Sequence, residues 1–205
     1  TPTLPTFGAT DCVRQVWLNP IHTQHLNHGQ LGFVVLHELG HILMLSAARR
    51  NGRDMHLWNC ATDYAINRMI MEIRHPWSRG PLYGPPDGEY PELGLVRVLI
   101  APRFQNQVAE TIYERLARPL LPQSTTLTIH LEPADGEGAG CFEDVQNHGG
   151  GIDIHLPQAL SEEDVERVTE ALEGAVQAWR HSKKRGNIPG EALRSIKRLE
   201  GEPVH

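Results

Sequence analysis

One five-residue run, His37-Glu38-Leu39-Gly40-His41, constrains this chain more than any other feature. It lies inside LGFVVLHELGHILMLSAARR, residues 31–50, where apolar residues recur at helical spacing and predict a helix over 30–50. Residues i and i+4 share one helix face, so the two imidazoles can converge on one point. Leu31, Val34, Val35, Ile42, Leu45 and one of Leu43 and Met44 cover its core-facing sides. So apolar a helix belongs at the centre of a domain. Two histidines and a carboxylate are costly there, and a metal ion removes that cost. H-E-x-x-H on a helix is the zincin arrangement: His37 and His41 as ligands, with Glu38 beside them to hold and deprotonate a water. Hydrogen-bonded core histidines are the plainer alternative, and the buried helical setting favours ligation over it. Gly40, costly in a helix interior, points to close approach of backbone or substrate.

A second helix follows. Asn51-Gly52-Arg53 signals a turn, Asp54 suits an N-cap, and the helix runs over 55–74 until Pro76 stops it. Asn59, Asp63 and Asn67, spaced i, i+4, i+8, form a polar stripe beside Ile66, Met69, Ile70 and Ile73. Antiparallel packing on the first helix would turn that stripe towards the histidines. Catalytic zinc takes three protein ligands and keeps one position open. Asp63 is the best third ligand; the alternatives are a carboxylate that only orients a histidine N–H, and His56 as rival ligand. Asn59 and Asn67 suit bracing roles. Tyr64, His148 and His155 are candidates to steady an oxyanion, although loop histidines are more often plain surface groups.

The remaining segments set the frame. Residues 1–10 read as an extended, loosely held arm. Residues 11–19 alternate and predict a strand, either purely structural or an edge that takes a peptide by strand addition. His22, His25 and His28 follow in a short connection and read as surface histidines, outside ligand spacing. Residues 76–91 are rich in Gly and Pro and predict no regular structure, only a cleft cover or a connector. A helix is expected over 106–117 and strands over 127–132 and 151–156. The acidic, Gly-rich loop between those strands lacks the oxygen spacing of a calcium loop. Ser161 opens a long helix whose apolar face holds Val165, Val168, Leu172, Val176 and Trp179, and a short helix follows over 188–199. The sum is an α+β chain of one domain: 11–75 the catalytic core with a strand and two zinc-site helices, 76–105 loop-rich, 106–205 a supporting part of helices and a β-hairpin.

Charge and composition remove several classes of function. The net charge is −6, and the one basic cluster, residues 181–185, sits at a helix end where cations complement the dipole, so nucleic-acid binding is not expected. No apolar run reaches the ~18 residues a membrane helix needs. Cys12, Cys60 and Cys141 are odd in number and lack C-x-x-C spacing, which suits a reduced, cytoplasmic setting. TPTLPTFGATD shows no basic-then-apolar leader pattern.

The segments VWLNP (16–20), FVVLHELGHILM (33–44), RRNGRD (49–54) and LWNCATDYAIN (57–67) carry a wider likeness, as do AETIYERL (109–116) and RGNIPGEALR (185–194). With them the chain resembles a family of predicted bacterial and phage metallopeptidases found ahead of a von Willebrand factor A-like (VWA-like) domain. The likeness spans most of the chain, and H-E-x-x-H joined to W-N-x-A-x-D-Y-x-x-N is a specific pair. It implies one Zn²⁺ held by His37, His41 and Asp63, with Glu38 catalytic; it does not imply a substrate. The chain ends at His205, about where the VWA-like domain begins in that family. The expected function is a zincin-like zinc metallopeptidase, in which zinc-bound water activated by Glu38 attacks a peptide carbonyl. A second reading is a non-catalytic, metal-stabilised binding or scaffold module working with an AAA+ ATPase or VWA-type partner. Glu38 argues against it, since a structural site needs no adjacent base. A third is hydrolysis of a non-peptide amide.

Overall fold

The helix that carries the histidines starts earlier and stops sooner than its apolar pattern predicts. The computed structural model describes residues 5–74, 80–118, 153–155 and 161–181. After a single turn, α1 (Pro20–Thr23), the central helix α2 spans His28–Leu43. Its start is set by Asn27, whose Oδ1 accepts from Gln30 N at 3.0 Å while Gln30 Oε1 accepts from Asn27 N at 3.1 Å. This reciprocal cap satisfies two backbone donors that would otherwise be orphaned. At the other end Leu45 takes φ 50°, a left-handed conformation that costs an L residue energy and breaks the helix. A one-turn helix, α3 (Ser46–Arg49), resumes after it. Arg49 ties down the break: its Nη1 donates to Met44 O at 3.0 Å, and Nε and Nη2 hold the Glu110 carboxylate at 3.0 and 2.7 Å. The break decides the face open at sequence level, with Met44 buried at 2% exposure and Leu43 out at 49%.

Helix α4 spans Met55–Met71, capped as expected by Asp54, whose side chain accepts from Leu57 N at 2.9 Å. It packs on α2 and on α5 (Ala109–Ala117), which begins three residues later than predicted. Phe33, Val34, Met44, Trp58, Ile66, Ile70 and Ile112 form the core between these helices. Burying each such side chain stabilises the fold by about 1.5–3 kcal/mol, so this unit holds most of the described apolar core. Gly40 does permit a close approach, but of a side chain from α4 rather than of backbone or substrate: a Cβ there would fall 2.6 Å from Ile66 Cγ2.

The N-terminal segment corrects two expectations. Residues 8–10 are not part of a loose arm. They form β1 (Gly8–Thr10), the centre of a three-stranded sheet and buried throughout. β1 pairs antiparallel with β2 (Val16–Leu18) and parallel with β5 (Asp153–His155). The strand predicted over 11–19 is confined to 16–18. Asp11 is the reason: its Oδ1 accepts from the N–H groups of Val13, Arg14 and Gln15 at 2.9, 2.8 and 2.9 Å, folding the backbone into a turn. Burial pushes the Asp11 carboxyl up, but the three N–H donors outweigh it and hold the pKa below the ordinary value. His22, expected on the surface, is buried, while His25 and His28 are exposed.

The Gly/Pro-rich stretch is also more regular than expected. β3 (Gly88–Tyr90) pairs antiparallel with β4 (Gly94–Val96). The hairpin lies against the residue before β1 and against α2: Tyr90 meets Phe7 edge-on at 5.0 Å, and its hydroxyl accepts from Gln30 Nε2 at 3.1 Å. Tyr83 covers Gly32, where a Cβ would stand 2.5 Å from the ring. Helix α6 (Glu162–His181) opens as predicted, with Ser161 Oγ accepting from Asp164 N at 3.1 Å. The predicted strand 127–132, the acidic loop and the helix 188–199 lie outside the described residues. The fold class is α+β, and among the described residues no helix is long and apolar enough to cross a membrane.

Candidate metal centre

One turn apart on α2, the His37 and His41 rings are both fully buried, with Nε2 atoms 3.1 Å apart. Asp63 comes in from the facing side of α4. Its Oδ1 lies 3.4 Å from His41 Nε2 and 3.9 Å from His37 Nε2. One ligand atom from each residue lies within 4.8 Å of the other two, the one such group of histidine, cysteine and carboxylate side chains among the described residues. A tetrahedral ion with bonds of about 2.1 Å has ligand-to-ligand edges of about 3.4 Å, so the three separations suit a single small cation. Two imine nitrogens and a carboxylate oxygen, with no thiolate, make a donor set for a borderline divalent ion.

The hydrogen bonds behind the two imidazoles fix where their free lone pairs point. Asn67 Oδ1 lies 2.7 Å from His37 Nδ1, and Asn67 Nδ2 donates to Leu99 O at 3.2 Å. With its NH₂ committed to a carbonyl, the amide turns its oxygen to the ring. His37 Nδ1 therefore carries the hydrogen, and Nε2 presents a lone pair towards Asp63 and His41. Ser46 Oγ stands 3.3 Å from His41 Nδ1 and plays the corresponding part. Ser46 is in reach because the chain breaks at Leu45, and Trp58 Nε1 holds its carbonyl at 2.7 Å. Nothing in the spacing of residues identified Ser46: an unbroken helix carries position 46 away from the His41 ring. Asn67, expected as a brace, stands behind His37.

Glu38 is fully buried beside His37, with its carboxylate against β1, where a Cβ on Gly8 would lie 2.5 Å from Oε1. The other candidates fall elsewhere. Asn59 is half-buried one turn before Asp63, and its carbonyl accepts the Thr62 hydroxyl at 2.8 Å. Tyr64 is buried in the core, its ring edge-on to Phe104 at 4.7 Å. His56 is exposed at the start of α4 and is not in the cluster. His155 is the β5 residue in register with Thr10, and His148 lies outside the described residues.

This α+β framework brings two histidines of one helix and an aspartate of the next to a common point, where they could hold a metal ion. The chain belongs to the family described as "putative metallopeptidase domain", whose model matches residues 8–199. No curated protein and no solved structure matches it.

Proposed function

We propose that this chain is a zincin-like zinc metallopeptidase that cleaves peptide bonds in a peptide or protein substrate. His37, His41 and Asp63 would hold one Zn²⁺ and leave a position open. When bound there, the ion supplies Lewis acidity towards a carbonyl oxygen and acidifies a water. Glu38 acts as general base, taking a proton from the attacking water and passing it to the departing amine. Burial makes that proton transfer local, because no bulk water competes with the Glu38 carboxylate. Asn67 and Ser46 keep the imidazoles in the tautomer that ligates. The observation that carries this reading is the convergence of His37 Nε2, His41 Nε2 and Asp63 Oδ1, with Glu38 next in sequence to the first of them. Three widely spaced cysteines with no C-x-x-C pair suit a reduced, cytoplasmic setting.

Two measurements test the proposal. Metal analysis of purified protein should find one zinc per chain, and Asp63→Ala should lose most of it. Undiminished zinc in that variant removes Asp63 from the ligand set. Proteome-wide cleavage profiling should show substrates for the wild type that vanish with Glu38→Gln. Identical profiles would instead leave a metal-stabilised binding module, the reading in which an AAA+ ATPase or VWA-like partner does the work.

A further inference from the structure

Gly8 is a glycine in the middle strand of a sheet, where the residue type weakens a strand by leaving nothing to pack and more backbone freedom to lose. Its backbone does not ask for glycine: the left-handed glycines of the described chain are Gly52, Gly88 and Gly94. What asks for glycine is contact. A Cβ at position 8 would stand 2.5 Å from Glu38 Oε1, 3.1 Å from Cδ and 3.2 Å from Cγ. Both sides of that contact are closed, since β1 is hydrogen-bonded to a strand on each side and Glu38 is fully buried. The carboxylate thus rests on a flat piece of backbone, and its direction is limited by shape.

We propose that Gly8 is a positioning residue for Glu38: the missing side chain on β1 is the seat that aims the carboxylate. The proposal rests on Glu38 being the general base, and it adds the element that holds that base in place. A side chain at position 8 meets the Glu38 carboxylate first, since the three atoms nearest the added carbon all belong to Glu38. A displacement on the scale of 1 Å at a reacting group costs on the order of a hundredfold in rate. Gly8→Ala should therefore lower kcat about a hundredfold, with KM and zinc content close to wild type.

The test is a double-mutant cycle on the zinc-loaded protein, read two ways. Thermal melts of wild type, Gly8→Ala, Glu38→Ala and Gly8→Ala/Glu38→Ala give the first. Gly8→Ala should lower Tm when Glu38 is present and do so clearly less once Glu38 is Ala; equal shifts in both backgrounds would sink the proposal. Turnover of reduced, unfolded casein gives the second, with Glu38→Gln as control. Gly8→Ala at the wild-type rate beside an inactive Glu38→Gln overturns the seat and leaves the general base standing. Glu38→Gln at the wild-type rate overturns the general base itself, and the seat's catalytic role with it.

Discussion

The candidate metal centre is held on two sides by different means. On the helical side, α4 reaches across with Asp63 and Asn67, and each histidine has a polar atom behind it. On the sheet side, β1 offers Glu38 no side chain at Gly8, only room. The difference follows from what each group must do. A ligand is useful only if a particular lone pair points at the ion, and a hydrogen bond to the opposite ring nitrogen sets that. For Glu38, proposed as general base, the close contact at Gly8 limits by shape where the carboxylate can lie. Polar support on one side and steric support on the other should then fail in different ways.

Asn67→Ala should do the most damage on the polar side. It strips the acceptor from His37 Nδ1 and the donor from Leu99 O at once. Zinc affinity should fall 10- to 100-fold, the usual cost of losing such a support, measured by competition with a chromogenic chelator. Gly40→Ala comes next, since its Cβ would collide with Ile66 at the α2–α4 crossing. Overpacking of this kind costs about 1–3 kcal/mol, seen as a lower Tm, and any splaying of the helices should also loosen Asp63 from the histidines.

Ser46→Ala is the milder counterpart of Asn67→Ala. The Ser46 hydroxyl is 3.3 Å from His41 against 2.7 Å for Asn67 and His37, so zinc affinity should drop by less than about tenfold. A loss equal to that of Asn67→Ala would mean that the two supports are equivalent. The smallest effect belongs to the turn behind β1. Asp11 has its pKa held below the ordinary value of 3.8, so its ionised form favours the fold above that value. The contribution is lost as pH falls through the depressed native pKa. Asp11→Asn should therefore lower Tm at neutral pH, and the gap to wild type should narrow in acid melts below about pH 4. Zinc affinity at neutral pH should stay put, which would separate the sheet side from the ligand side.

What could be read before the fold was known divides along the same line. The convergence of His37, His41 and Asp63, with Asn67 behind His37, was legible because helices repeat: spacing on α2 and α4 places side chains on faces, and a polar stripe on an apolar helix needs a polar destination. The class of the fold followed from those helices and a few short strands. Ser46 was not legible, because it depends on a left-handed Leu45, a residue type that seldom marks such a break. Gly8 was hidden in a three-residue strand too short to show alternation. The strand read over 11–19 was overstated, since periodicity says nothing about one carboxylate gathering three N–H groups. Helical supports announce themselves by period, and supports made by turns and gaps do not.

The pairing of Gly8 with Asp153 bears on how the molecule is made. His37, His41 and Asp63 lie close together in the chain, so a nascent polypeptide can assemble its donor set soon after α4 leaves the ribosome. The parallel partner of β1 is then still unsynthesised. Contacts of such long sequence separation form late, because loop closure must be met first. A chain halted before residue 153 contains His37, His41 and Asp63 but lacks β1's parallel partner, which would separate the candidate donor set from the completed sheet beneath Glu38.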